Sequence, residues 1–176
     1  DLFRQEYPSE PEEAFLTTGR PVFNPEQLQK MLPEARDPKE RLALEGEEWL
    51  NNARGELTMY RRHDPGEQYV IGADVAMGVR GGDYSVAQVL DSKKRQVATW
   101  RGHVHPDYYA QILFHLGNFF NTAYIIVENN GHGLLTCTRL AKDMAYSNFF
   151  TEVQVDKLTD RETIKLGFST TAKTKP

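Results

Sequence analysis

The sequence predicts an α/β protein whose mixed sheet has five or more strands, an antiparallel meander followed by parallel strands, with helices flanking it. Three strand-like runs follow one another closely between Tyr69 and Val104, as in a meander. Two short apolar runs, Tyr69–Asp74 and Ala123–Glu128, each end on an acidic residue. A helical pattern separates these two runs, and strands joined through a helix favour parallel pairing.

The composition is that of a single globular domain with a flanking appendage. The chain has 176 residues, a formal net charge of −4 and one cysteine, Cys137, which excludes an internal disulfide framework and favours a reducing setting. No apolar run is long enough to span a bilayer. The acidic balance argues mildly against a nucleic-acid binder, although a bound cation offsets such charge locally. Because the chain opens on Asp1, we expect it to be part of a longer protein.

The first third of the chain predicts an appendage rather than a core. We assign residues 1–54 to a linker or docking arm with short helices, and residues 55–176 to the globular domain. One helix start is predicted around Pro11, and a clearer one has Asn24 as N-cap and Pro25 in the first turn.

The meander is predicted from alternating runs and turn residues. Glu56–Arg62 alternates and is interpreted as an edge strand. Tyr69–Asp74 follows as the central strand, and Tyr84–Leu90 and Gln96–Val104 are the next two. The polar residues Asp91–Lys94 predict the hairpin turn between them.

The second half alternates helices and strands. Pro106 opens a helix with one apolar face, formed by Tyr109, Ile112, Leu113, Leu116 and Phe120. The strand Ala123–Glu128 follows, and a tight turn leads into a helix over Leu134–Ala145. Phe149–Val155 is the last predicted strand, and the remainder of the chain is polar.

The two acids that end apolar strands are the candidate site. If the strands lie parallel and adjacent, Asp74 and Glu128 share one sheet edge, about 4.8 Å apart across the strands. Carboxylates that close repel each other unless a cation lies between them. Hard oxygen ligands suit Mg²⁺ or Mn²⁺, and such a site hydrolyses phosphodiesters. For either acid alone, a turn or capping role is the simpler interpretation; the repetition of the pattern favours a site.

Other polar residues have two interpretations each. Asp83 is a candidate third metal ligand, because two carboxylates rarely hold two ions, but capping of backbone N–H groups in its turn is the simpler role. Asn129, Asn130 and His132 are most simply turn residues, and contact with a ligand carboxylate or a phosphate is the sharper alternative.

Four pieces of the sequence, taken in order, resemble a known family. They are Glu6–Phe15, Tyr69–Asp91 with its GADVAMG and GDYSVAQVLD stretches, Val127–Gly133, and Gly167–Pro176. Together they are similar to the nuclease domain of the large terminase subunit of tailed bacteriophages, and the resemblance covers nearly the whole chain. The first piece resembles the junction between the ATPase and nuclease parts of that family.

The resemblance implies an RNase H-like fold and metal-dependent cleavage of double-stranded DNA during phage genome packaging in the host bacterial cytoplasm. By motif match, Asp74 is the first metal-binding acid and Glu128 the second, in a site that holds Mg²⁺ or Mn²⁺, two ions when complete. Arg80, Lys173 and Lys175 are the candidates for contacts with DNA. The implied partners are DNA, an ATPase domain in the same full-length chain, the small terminase subunit and the portal protein, with no membrane.

The family carries a further acid nearer its C-terminus, and we expect that position to lie beyond Pro176. No ATPase phosphate-loop motif occurs in this chain. Two other functions therefore stay open. One is a non-catalytic docking module of the packaging motor. The other is an actin-like or sugar-kinase-like ATPase, which would bind nucleotide near Gly78–Asp83.

Overall fold

The computed structural model describes residues 24–79, 81–155 and 162–171. The chain divides into two compact units, one comprising Asp1–Asp37 with Pro176 and the other Pro38–Lys175. The predicted helix start around Pro11 lies outside the described residues.

The first unit contains helix α1, Pro25–Met31, and a 3-10 turn, Leu32–Glu34. The side-chain oxygen of Asn24 accepts hydrogen bonds from the backbone N–H groups of Glu26, at 2.9 Å, and Gln27, at 3.3 Å. These bonds satisfy donors that the first helical turn leaves free, so the predicted N-cap is confirmed.

The second unit is built on a seven-stranded sheet with the order β2-β1-β3-β6-β5-β4-β7. The strands are β1 Glu40–Glu45, β2 Glu48–Asn51, β3 Leu57–Met59, β4 Tyr69–Asp74, β5 Ser85–Asp91, β6 Gln96–Gly102 and β7 Tyr124–Val127. β4 and β7 pair in parallel, and the other neighbours pair antiparallel. The predicted mixed sheet, with its meander and its later parallel strand, is confirmed.

Helix α2, Pro106–Phe119, is the main cover of the sheet. His105 caps it by accepting a hydrogen bond from the N–H of Asp107, and the predicted apolar face of the helix is buried. Helix α3, Gly133–Thr138, continues into a π-helical turn, Arg139–Asp143. No described helix is long and apolar enough to cross a bilayer.

The prediction that the Glu56–Arg62 run is an edge strand is wrong. β3 is buried at all its residues, because β1 pairs on one side of it and β6 on the other. β1 and β2 form a hairpin within the range assigned to the arm, and most of their side chains are exposed or half-buried. This exposure explains why the sequence there shows little apolar periodicity.

A separate hairpin of β8, Thr151–Val155, and β9, Glu162–Leu166, follows the main sheet. The predicted strand at Phe149–Val155 is confirmed from Thr151 onward. Beside the outer edge of β7, Phe149 forms a parallel bridge with Ile125, and Phe168 forms one with Glu128. Two short segments from either side of the hairpin thus complete the edge of the sheet.

The sheet has one covered face and one open face. Along β4 the residues Tyr69, Ile71 and Ala73 are buried, whereas Val70, Gly72 and Asp74 are exposed. β5 and β6 alternate in a similar way, since Ala87, Val89 and Trp100 belong to the core. Successive strand residues point to opposite faces, so Asp74 lies at the end of the open face.

Candidate metal-binding site

The two predicted acids are brought together by the parallel pairing of β4 and β7. Ala73 aligns with Val127, and the N–H of Glu128 donates to the carbonyl oxygen of Ala73 at 2.9 Å. Glu128 therefore directly follows the aligned pair, beside Asp74. Their predicted position at one sheet edge is confirmed, and their role as metal ligands stays a prediction.

Burial and the neighbouring Glu128 destabilise the charged state of Asp74. Burial, the negative charge of Glu128 and a hydrogen bond with Glu128 together raise the pKa of Asp74. The N–H of Val75 acts in the opposite direction, and Asp83 adds a smaller repulsion. The side chain of Asp74 is nevertheless exposed on the open face, so an ion from solution can reach it. A cation between the acids would relieve this repulsion.

The charge of Asp74 also affects the pKa of a buried hydroxyl, that of Tyr109. The side chain of Tyr109 is fully buried, and its hydroxyl has no described hydrogen-bond partner. Burial first, and the charge of Asp74 second, raise the pKa of Tyr109 well above its usual value. The phenol therefore stays neutral beneath the acidic edge.

Asn130 holds the side chain of Glu128 in place. Its amide nitrogen donates to Oε1 of Glu128 at 3.0 Å and to the carbonyl oxygen of Thr170 at 2.9 Å. A neighbour that fixes the direction of a ligand carboxylate pre-organises a metal site. Of the two roles considered from the sequence, turn residue or contact with a ligand carboxylate, Asn130 has the second, because it donates to Glu128.

Phe168 forms backbone hydrogen bonds with the residues on either side of Glu128. The N–H of Phe168 donates to the carbonyl of Val127 at 2.8 Å, and the N–H of Asn129 donates to the carbonyl of Phe168 at 2.9 Å. Gly167 has a φ of +74°, and a Cβ there would lie 2.6 Å from the carbonyl oxygen of Val127. Only glycine accepts both the conformation and the close approach. The resemblance singled out this segment, but nothing in the sequence predicted its contact with β7.

The other predicted site residues are not part of this pair of acids. Asp83 is exposed, and no described backbone N–H donates to its carboxylate. Among the described residues, no group of three or more acidic, histidine or cysteine side chains is arranged to hold a metal. Arg80, Lys173 and Lys175 lie outside the described residues, so their predicted contacts with DNA stay predictions.

The donors that are present fit one hard divalent cation. Mg²⁺ typically uses one or two carboxylates and completes its octahedral shell with water or phosphate oxygens. Asp74 and Glu128 supply those carboxylates at an accessible edge, and among the described residues neither acid forms an ion pair. A second ion would need a further donor from outside the described residues.

The whole chain was compared with known protein families, curated proteins and solved structures. No protein-family model matches this chain, and no curated protein matches it significantly. Among solved structures, it is similar to the cobalt-bound large terminase nuclease from thermophilic phage G20c, with 24% identity over 63% of this chain and 53% of that one, and a TM-score of 0.47.

Two further solved structures are similar to this chain. The nuclease domain of the Thermus phage P74-26 large terminase has 21% identity over 61% of this chain and 50% of that one, with a TM-score of 0.43. A G20c nuclease structure without a named metal has 16% identity over 72% of this chain and 83% of that one, with a TM-score of 0.40. The chain spans about half the length of the first of these solved structures.

Proposed function

We propose that this chain is the nuclease part of a terminase large subunit, a metal-dependent endonuclease that cuts double-stranded DNA during phage genome packaging in the host bacterial cytoplasm. The observation that carries the proposal is the pair of acids at the end of the open sheet face. Asp74 and Glu128 come from adjacent parallel strands, and the charge of Glu128 helps to raise the pKa of Asp74. The sequence resemblance supports the same function.

The roles of the residues follow from this geometry. Asp74 and Glu128 would hold Mg²⁺ or Mn²⁺ through their carboxylate oxygens, and Asn130 keeps the Glu128 carboxylate in place through its 3.0 Å hydrogen bond. When bound, the ion would supply an activated water and neutralise charge on the phosphate. The exposed face of β4 and β5 leaves room for a DNA strand to approach the acids. A second ion, as in two-metal nucleases, would require another donor.

The proposed partners follow from the same assignment. They are double-stranded DNA as substrate, an ATPase domain in the same full-length chain, and the small terminase subunit and portal protein as assembly partners.

Plasmid relaxation in Mn²⁺ tests the catalytic role. The wild-type chain is compared with Asp74→Asn and Glu128→Gln, which remove the charge of each acid without changing its size. Asp37→Asn is the matched control, because it removes an exposed aspartate that precedes β1 and has no described contact with the pair. We expect relaxation by the wild type and the control only. Equal cleavage by wild type and Asp74→Asn would contradict the proposal.

A docking module is the second candidate, and one surface favours it. A groove of about 410 Å³ beside the site is lined in part by apolar side chains, including Met77, Leu134 and Leu135. Leu134 is 57% exposed and Met77 53% exposed, so the groove presents apolar surface to solvent. The lack of a third acidic ligand among the described residues also favours this function.

If the chain is a docking module, it should bind the portal protein equally well with and without a chelator, and the Asp74→Asn variant should bind as the wild type does. Leu134→Ser and Met77→Ser would weaken that binding. Pull-down of purified portal protein, with and without EDTA, separates the two functions. Metal-dependent cleavage together with unchanged portal binding in the groove variants would favour the nuclease.

A further inference from the structure

A cluster of one arginine and two aromatic rings lies on the open face, near the acids. The guanidinium carbon of Arg101 lies 3.4 Å from the centre of the Tyr84 ring. Tyr84 directly precedes β5 and His103 follows the end of β6, and the centroids of their rings are 3.6 Å apart. Tyr84 is 38% exposed, and Arg101 is also exposed. None of these three residues was singled out from the sequence.

Strand register places this cluster in line with the acids. Asp74 pairs with Val86 of β5, and Val86 pairs with Arg101 of β6. Directly paired residues point to the same face of a sheet, so Asp74 and Arg101 share the open face. Two strand spacings separate them, or about 10 Å. Tyr84 lies two residues before Val86, and His103 lies two residues after Arg101. Both are therefore on the same face as Asp74.

The charge of Arg101 has no described acidic partner. Arg95 forms an ion pair with Asp91, and Arg139 forms ion pairs with Asp107 and Asp143. Among the described residues, Arg101 forms no ion pair, and its described interaction is with the Tyr84 ring. Stacking on an aromatic face holds the planar guanidinium while its edge N–H groups remain free to donate.

We propose that Arg101 contacts a phosphate of the DNA strand and positions that strand over Asp74 and Glu128, with Tyr84, which stacks against His103, holding the guanidinium. This inference rests on the proposed nuclease function. An arginine fork donates two parallel hydrogen bonds to a phosphate. The separation of about 10 Å corresponds to about three nucleotides at a rise of 3.4 Å, so Arg101 would hold the strand about three nucleotides from the cut.

Binding to a short fluorescein-labelled DNA duplex tests the contact separately from cleavage. Anisotropy is measured in EDTA, from about 50 to 200 mM salt, for the wild-type chain, R101Q, R101K and K93Q. Lys93 is the matched control, because it is exposed in the turn at the far end of the β5–β6 hairpin, about 20 Å from Arg101. Melting curves verify that each variant is folded.

Loss of one phosphate contact lowers the salt slope of log K by about 0.9, which corresponds to about eightfold weaker binding at 0.1 M salt. We expect this change in R101Q, and an unchanged slope in R101K and K93Q. If R101Q and K93Q bind like the wild type, the inference is overturned while the nuclease proposal stands. No DNA binding by the wild type would overturn both.

The converse outcome is also distinguishable. If R101Q binds DNA more weakly while Asp74→Asn still relaxes plasmid as the wild type does, the contact of Arg101 with DNA is supported and the catalytic assignment of Asp74 fails.

Discussion

Replacement of Asp74 by Asn should stabilise the metal-free protein. The native fold holds the carboxyl group of Asp74 beside that of Glu128, and their repulsion contributes to the raised pKa of Asp74. Asn has nearly the same shape but carries no charge, so the substitution removes this repulsion. A residue that lowers stability where it stands is common at functional sites.

The magnitude follows from the strand spacing. Two unit charges about 4.8 Å apart repel by about 0.9 kcal/mol in bulk water and by about 3.5 kcal/mol at an effective dielectric constant of 20. Asp74 is exposed, so solvent screening places the effect near the lower value. A gain of about 1 kcal/mol raises the melting temperature of a domain of this size by about 2–4 °C.

The pH dependence has a definite sign. A carboxyl group whose pKa is raised on folding binds more protons in the native state than in the unfolded state. Stability therefore falls as pH rises from 3.8, the ordinary pKa of an aspartate, through the raised pKa of Asp74. The advantage of Asp74→Asn should be complete above that pKa and vanish below about pH 4, where the wild-type carboxyl group is also neutral.

Thermal melts in EDTA at neutral pH and near pH 4, repeated with Mn²⁺, measure these effects. Mn²⁺ should raise the melting temperature of the wild type and leave that of Asp74→Asn unchanged, because ligand binding stabilises only the state that binds it. Asp37→Asn is the control and should behave like the wild type. An Asp74→Asn variant that is less stable than the wild type in EDTA at neutral pH would refute the reasoning.

Three other substitutions test the support of the site and the core. Asn130→Ala removes the 3.0 Å hydrogen bond to Glu128, so Mn²⁺ affinity by calorimetry should fall about tenfold or more. Gly133→Ala would place a Cβ against the Glu128 carbonyl oxygen and should cost about 1–3 kcal/mol in urea denaturation. Tyr146→Phe removes a buried 2.7 Å hydrogen bond to the Ala123 carbonyl and should cost about 1–2 kcal/mol in the same assay.

Each of these substitutions has a matched control. Asn118→Ala changes an exposed asparagine away from the acids and should leave Mn²⁺ affinity unchanged. Gly72→Ala adds a Cβ with nothing within 4 Å, so its stability should not fall. Tyr108→Phe removes the hydroxyl of a tyrosine that is 45% exposed, and we expect less than about 0.5 kcal/mol. Equal effects in a substitution and its control would contradict the corresponding contact.

The central part of the fold could be predicted from the sequence because its signals are local. β4 and β7 are short apolar runs that each lead into an acid, and α2 has a clear apolar stripe. Chain order then sufficed to predict the parallel pairing that brings Asp74 and Glu128 together.

The elements that were missed depend on distant partners. Half of the residues of β1 and β2 are polar and most of their side chains are exposed, so their place beside β3 depends largely on backbone pairing, which leaves little trace in the sequence. Arg101 differs from other surface arginines through its register opposite Asp74 and its contact with Tyr84. Both properties appear only when separate strands are aligned.

The contact between Asn130 and Thr170 has a consequence for how the protein is made. The two residues are 40 positions apart in the chain, and closing a loop of that length costs about 3 kcal/mol in chain entropy beyond a constant term. During synthesis, β4 and β7 leave the ribosome well before residue 170 does. Glu128 therefore acquires its full set of described neighbours only after residue 170 has been synthesised, so the direction of its carboxylate is fixed late.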